Sequence, residues 1–355
     1  MSQILSSKVV YSNQQMSKVQ KRFLWVDVMR VTAIYAVILV HTSTLPVTFS
    51  HISDLPFFLS FALVKVCVPL FVMLSGALLL GKQEPLGLFF GKRAVKVLIP
   101  WILWTLIYMA WNYTFHGYHP ANVSQWKYFF ELTFFSQLWF LPLIFSLYII
   151  TPILRLFVPL MTKTIKIYFS FIWFVFVCLL PFIHTGTTFP RSDESGLIPV
   201  TLYYSGYFIL GYFLSNIKLP KKSTRKSFGI VLIGLAITFL ELLLIKQAKV
   251  FDYFAPGIVI TSIGVFILLF SYFSKVKIGK NWKRILAVIG NSSLGIYIVH
   301  GLLAEYLSLS FPQITYFLNN LPLIQGYYYA LVLFFLSFFL VLIIKKIPGL
   351  KLLVP

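Results

Sequence analysis

The sequence predicts an all-α fold, a polytopic membrane protein of about ten transmembrane helices with both termini on the cytoplasmic side, and three observations predict it. Of its 355 residues, 59% are hydrophobic and only 11% charged, whereas a soluble domain carries about 25% charge. Apolar runs near the roughly 20 residues needed to cross a hydrocarbon core recur at 24–45, 55–81, 95–115, 138–160, 166–184, 199–216, 227–246, 255–274, 286–308 and 322–345. The cations, finally, fall in alternate loops. Lys8, Lys18, Lys21 and Arg22 precede the first run; Lys82, Lys92, Arg93 and Lys96 follow the second. Further clusters stand at Arg155–Lys166, Lys218–Lys226, Lys275–Arg284 and Lys345–Lys351, while only Lys127, Arg191, Lys246 and Lys249 lie in the intervening loops. This is the positive-inside pattern, and it requires an even number of spans. The net charge of +21 is therefore a matter of topology rather than of nucleic-acid binding. The expected setting is the cell membrane, crossed many times; no nucleic-acid partner is expected.

Taken in order, residues 1–20 read as a polar cytoplasmic tail, 21–350 as the transmembrane domain and 351–355 as a cytoplasmic end. No short apolar region with a small-residue cleavage site precedes Leu24, so the first span is expected to be its own targeting signal. The second run contains Lys65 and Ser75-Gly76, the latter pair marking close helix packing. The third is entered from Lys92, Arg93 and Lys96, just ahead of Pro100. The loop at 112–137 is rich in aromatics, and its middle is expected to lie in the interface as an amphipathic helix. Glu241 and Glu305 are expected at the interface, near the outer ends of their spans. In the ninth run, Gly290-Asn291-Ser292 reads as a helix-starting signal, so that span is expected to begin near Ser292. Cys67 and Cys178 both lie in apolar runs, which implies no disulfide framework.

The chemistry concentrates in the first span, which carries Asp27, Arg30 and His41. An ionisable group at membrane depth costs at least about 2.5 kcal/mol, so three in one span point to a working site. Eleven steps from Arg30 to His41 are close to three turns, which places both on one helix face about 16 Å apart. Asp27 is one turn from Arg30 and can pair with it, a structural role that also orients a guanidinium for phosphate. Imidazole is the general base best matched to neutral pH, which makes His41 the main catalytic candidate; the bland reading is a histidine bonded to a backbone carbonyl. Arg93, Lys96 and Lys92 are either a positive-inside anchor or a seat for a polyanionic ligand such as a phosphorylated cofactor. Lys65 is too deep to snorkel and is expected to line a polar cavity. Ser293, Tyr297 and His300 recur at i, i+4 and i+7 and give the ninth span a polar face toward the same cavity. His51, His116 and His119 suggest an outer metal site, but no carboxylate or cysteine cluster supports it, and no metal is expected.

Trp25-Val26-Asp27 followed by Arg30-x10-His41, then Val68-Pro69-Leu70-Phe71 through Ser75-Gly76, then Arg93-x-x-Lys96 ahead of Pro100 form an ordered set. Leu138-Trp139-Phe140, Gly211 and Ser293-Leu294-Gly295-Ile296-Tyr297 ending at His300 complete it. The set resembles the integral-membrane acyltransferase 3 family over nearly the whole chain. Within that family it is most like the stand-alone enzymes that O-acetylate bacterial surface glycans, the enterobacterial common antigen acetyltransferase being a near likeness. The resemblance implies transfer of an acetyl group from cytoplasmic acetyl-CoA to a sugar hydroxyl on the outer side. By the same resemblance, His41 corresponds to the catalytic histidine, Arg30 to the arginine of its motif and Arg93 to the first arginine of an Arg-x-x-Arg pair, and Trp139 joins the substrate pocket. Lys96 departs from the second arginine, keeping the charge but losing bidentate phosphate geometry. No hydrolase-type domain is expected beyond the transmembrane one. The competing class is a transporter or flippase for a lipid-linked or secreted saccharide, with Lys65, His41 and His300 along its path.

Overall fold

The computed structural model describes residues 23–43, 55–117, 119–127, 138–185, 197–217, 220, 222–245, 248–313 and 325–355. Among the described residues, ten helical stretches are long and apolar enough to cross a membrane, as the hydropathy pattern predicts. The helices are α1 (Leu24–Thr42), α2 (Leu55–Val64), α3 (Cys67–Leu79), α4 (Leu86–Arg93), α5 (Ile99–Phe115), α6 (Phe140–Phe157) and α7 (Lys163–Trp173). After them come α8 (Leu180–Thr185), α9 (Leu197–Ser215), α10 (Ser223–Ile245), α11 (Pro256–Phe273), α12 (Lys280–Ser310) and α13 (Gln325–Lys346).

Helix α1 is the axis of the bundle. Trp25, Met29, Ala33, Ile34, Val37 and Ile38 are buried on its different faces, as expected of a helix that is apolar all round. It packs against α12, α3, α13 and α11. Small residues set the closest approaches. A Cβ on Gly76 of α3 would collide with the backbone oxygen of Phe208 in α9, and one on Gly211 of α9 with the backbone oxygen of Met73 in α3. Without a hydrophobic drive between helices in lipid, such backbone-to-backbone contact is what joins them. Ser75-Gly76 is thus a packing element, as the sequence suggests. Gly234 and Gly257 do the same between α10 and α11, against Thr261 and Thr238.

Among the described residues, three spans depart from regular α-helix just ahead of a proline. Pro69 has no N–H to give residue 65 and its ring clashes with that carbonyl, so the second span stops at Val64 and restarts at Cys67. Lys65 occupies the intervening turn, its N–H bonded to Phe61 O at 3.0 Å. Ahead of Pro100 and Pro181 the chain instead widens into π-helix, at Ala94–Leu98 and Phe174–Leu179. The wider turn absorbs the displaced carbonyl and keeps the span continuous.

One expectation is corrected. Helix α12 runs unbroken from Lys280 to Ser310, so Gly290-Asn291-Ser292 lies inside it and starts nothing. Gly290 is there for packing: a Cβ would stand 3.2 Å from Asp27 Oδ1 of α1. Glu241, near the end of its span as expected, is buried at 4% exposure, with Oε1 accepting the Gly257 N–H at 3.0 Å from the first turn of α11. Glu305 pairs with His116 across α12 and the end of α5. In the middle of the 112–137 loop residues 123–127 form a short helix; 118 and 128–137 lie outside the described residues, as does His51.

Candidate active site

A narrow cavity opens where five elements meet. Val37, Val40 and His41 come from α1, Cys67, Val68 and Phe71 from α3, Trp139 and Phe140 from the start of α6, Tyr253 from the loop before α11, and Tyr297 from α12. His41 reaches it because α1 ends one residue later, at Thr42, whose hydroxyl turns back to Ile38 O at 3.0 Å and reaches Gly326 O of α13 at 3.3 Å. The last turn of α1 is thereby pinned while the imidazole stays exposed.

Behind the cavity wall stands His300, 1% exposed. Its ring centre lies 5.2 Å from that of His41, the two planes tilted by 52°. His300 Nδ1 lies 2.5 Å from Tyr297 O, and only an N–H can donate to a carbonyl, so Nδ1 carries the proton and Nε2 the lone pair. That Nε2 is buried and, among the described residues, has no hydrogen-bond partner. Tyr297 itself accepts the Phe140 N–H on its hydroxyl at 3.3 Å and so caps the start of α6. One turn on, Tyr108 of α5 inserts its hydroxyl between Ile298 O and Leu302 N, at 3.1 Å from each. These two backbone groups bond to each other in a regular α-helix. The segment carrying His300 is therefore held from two sides by tyrosine hydroxyls.

Lys65 lies within electrostatic reach of His41. Its ammonium sits 4.8 Å from the centre of the Tyr253 ring and 5.5 Å from that of Phe61, a cation–π seat that offsets part of its cost at this depth. Trp139 stacks near Tyr253, ring centres 6.0 Å apart. Ser293 is buried on the same face of α12 as Tyr297 but does not line the cavity.

Toward the opposite end of α1 the charges gather. Lys96, on the π-turn, feels the fields of Arg30, Arg93 and Lys92, and Lys345 of α13 feels that of Lys96 while bonding Asn291 O at 3.3 Å. Arg93 and Lys92 are not bare. Glu84, in the loop before α4, sits 2.7 Å from Arg93 Nη1, 3.3 Å from Lys92 Nζ and 3.5 Å from Lys82 Nζ. Burial of the Glu84 carboxyl works to raise its pKa, but the charges of Arg93, Lys82 and Lys92 outweigh that and hold it below the ordinary glutamate value. The Arg93 and Arg155 guanidinium carbons lie 4.2 and 4.5 Å from the centre of the Phe89 ring. One carboxylate thus pairs with three cations, Lys82, Lys92 and Arg93, with Arg155 close by on the Phe89 ring, and the end of the bundle that bears them remains strongly positive.

The structure therefore brings His41, Tyr297, His300, Trp139 and Lys65 together at one site and Arg30, Arg93, Lys96 and Lys92 at another, with Asp27 buried at 3% exposure between α1 and α12. Sequence reasoning missed Tyr253, Cys67, Glu84 and the seat of Arg155 on Phe89. Tyr253 and Glu84 come from loops, where periodicity gives no signal.

The described residues thus form a helical bundle with an imidazole pair at a cavity near one end of α1 and a cluster of cations toward the other. The chain belongs to the acyltransferase 3 family: residues 23–346 match that family, described as an acyltransferase domain. Among curated proteins and among solved structures nothing matches. The protein is accordingly a multi-pass membrane acyltransferase.

Proposed function

We propose that the protein moves an acetyl group from cytoplasmic acetyl-CoA to a hydroxyl of a cell-surface or lipid-linked glycan, as an O-acetyltransferase with both termini in the cytoplasm. The observation that carries this reading is the arrangement along α1, a cationic cluster around Arg30 at one end and a cavity bearing the exposed His41 imidazole at the other. Acetyl-CoA is a polyanion on a long neutral arm. Its phosphates suit Arg30, Arg93 and Lys96, with Lys92 at the rim, and its thioester then lies up the bundle toward His41. Arg93 engages the donor by exchanging Glu84 for phosphate. Asp27 orients the base of α1, and Tyr297, His300, Ser293, Lys65 and Trp139 shape the acceptor side.

In the transfer step the sugar oxygen attacks the thioester carbonyl carbon while His41 takes the hydroxyl proton. The carbon–sulfur bond then breaks, and the CoA thiolate leaves with the proton from His41. Lys65 places positive charge near the oxygen that becomes negative in between. The acceptor enters from the opposite side of the membrane to the donor. The broken second span beside Lys65 favours one further reading, a saccharide transporter, since interrupted helices at mid-membrane line transport sites. Surface glycan compared by mass in cells with and without the gene separates the two. Loss of one acetyl increment from an otherwise normal glycan supports transfer, and loss of the glycan itself from the surface supports transport.

A further inference from the structure

We propose that His300 is the positioning partner of His41, taking the place that a carboxylate holds in other base-assisted acyl transfers; this rests on the reading of His41 as the base. A neutral imidazole has one N–H and one lone pair, and as a base it must present the lone pair to the acceptor hydroxyl. Something has to hold the other nitrogen as N–H. A carboxylate does this elsewhere by accepting the bond, and among the described residues no carboxylate forms an ion pair with His41.

His300 has what the role requires. Its tautomer is fixed by the bond from Nδ1–H to Tyr297 O, which leaves Nε2 as a lone-pair acceptor. That acceptor is buried without a partner among the described residues, a costly state that a hydrogen bond from His41 relieves. A ring-centre separation of 5.2 Å is close to what an in-plane N–H···N bond between two imidazoles needs, roughly 5 Å given an ordinary donor–acceptor distance near 2.9 Å. A small rotation of the exposed His41 ring closes it. His300 is too buried to reach the acceptor itself, and its segment is clamped by Tyr108 and the Tyr297 cap. During transfer His300 neither gains nor loses a proton. It fixes the His41 tautomer and shares the charge of the transient imidazolium, while the travelling proton passes from acceptor oxygen to His41 to thiolate.

The test compares His300→Gln, which puts an amide oxygen near the position of Nε2, with His300→Asn, which keeps a donor near Nδ1 for Tyr297 O and loses the distal acceptor. Acetyl transfer from labelled acetyl-CoA is measured in proteoliposomes, with thermal stability in detergent alongside. Transfer by the wild type and its loss in His41→Ala establish the underlying reading; full activity in His41→Ala refutes that reading rather than this one. The expected result is that His300→Asn lowers kcat about a hundredfold with KM for acetyl-CoA within twofold, roughly, of the wild type, and that His300→Gln recovers most of the loss. Full activity in His300→Asn, or equal loss in both variants, overturns the proposal. Nitrogen NMR of histidine-labelled wild type tests it without a variant: His300 is expected protonated on Nδ1 and bare on Nε2, and a proton on its Nε2 contradicts the assignment.

Discussion

The guanidinium of Arg93 is held 2.7 Å from the carboxylate of Glu84, a side chain only 5% exposed. Because Glu84 titrates below the ordinary value, its contribution to stability is complete above the unfolded glutamate pKa, about 4.3, and is lost as pH falls through the lower folded value. Glu84→Gln should therefore melt below the wild type at neutral pH, and the gap should close in acid. Melting curves of the two proteins in detergent between about pH 3 and pH 7 check this across the glutamate range. A gap that does not change with pH contradicts it.

The same carboxylate competes with any anion for Arg93. Glu84→Gln should lower KM for acetyl-CoA even as it lowers stability. Arg93→Ala and Lys96→Ala should each raise that KM, by about tenfold or more if a charge-assisted phosphate bond is lost, with little change in kcat. Lys96→Arg should lower it, since a guanidinium restores two-pronged phosphate contact. Initial-rate kinetics over donor concentration distinguish these outcomes.

The α3–α9 contact is backbone on backbone. Gly76→Leu forces Cβ onto the Phe208 carbonyl oxygen and should cost about 1–3 kcal/mol or prevent assembly. Gly91, in α4, has nothing within 4 Å of where a Cβ would go. Gly91→Ala should be neutral or stabilise by about 0.5–1 kcal/mol, the helix-propensity difference. Expression and melting temperature of the two variants provide the comparison.

Tyr108→Phe removes the hydroxyl that bridges Ile298 O and Leu302 N. Two buried backbone groups lose that partner, at a cost of about 1–3 kcal/mol. As His300 lies between them in sequence, kcat should fall along with stability, and the fall should be larger than in Tyr329→Phe, whose hydroxyl reaches Ala304 O only at 3.5 Å.

Helix number and the identity of the His41 and Arg30 stripe were legible because both follow from spacing within one continuous apolar run. What stayed hidden depended on partners far apart in the chain. Gly290-Asn291-Ser292 carries the residues of a helix start, yet contact with Asp27 of α1 keeps the helix going through it. The partner of Glu241, the Gly257 N–H at the free end of another helix, is likewise set only by the fold. Glu84 and Tyr253 sit in short loops with no periodicity, and only the fold sets one on Arg93 and the other beneath Lys65. Pro69 lies inside a run that reads as one span, 55–81, and the break at Lys65 follows from proline's missing N–H once that run is set as a helix.

The most direct test of His41 as the catalytic base is transfer of labelled acetyl from acetyl-CoA to extracted surface glycan by purified protein in proteoliposomes, wild type against His41→Ala. His41 lines a cavity rather than filling a packed core, so the variant should melt within a few degrees of the wild type and bind acetyl-CoA with similar affinity. Its transfer rate should fall by about a hundredfold or more, the range for loss of a general base. A folded His41→Ala protein that binds acetyl-CoA and acetylates glycan at the wild-type rate would contradict the account.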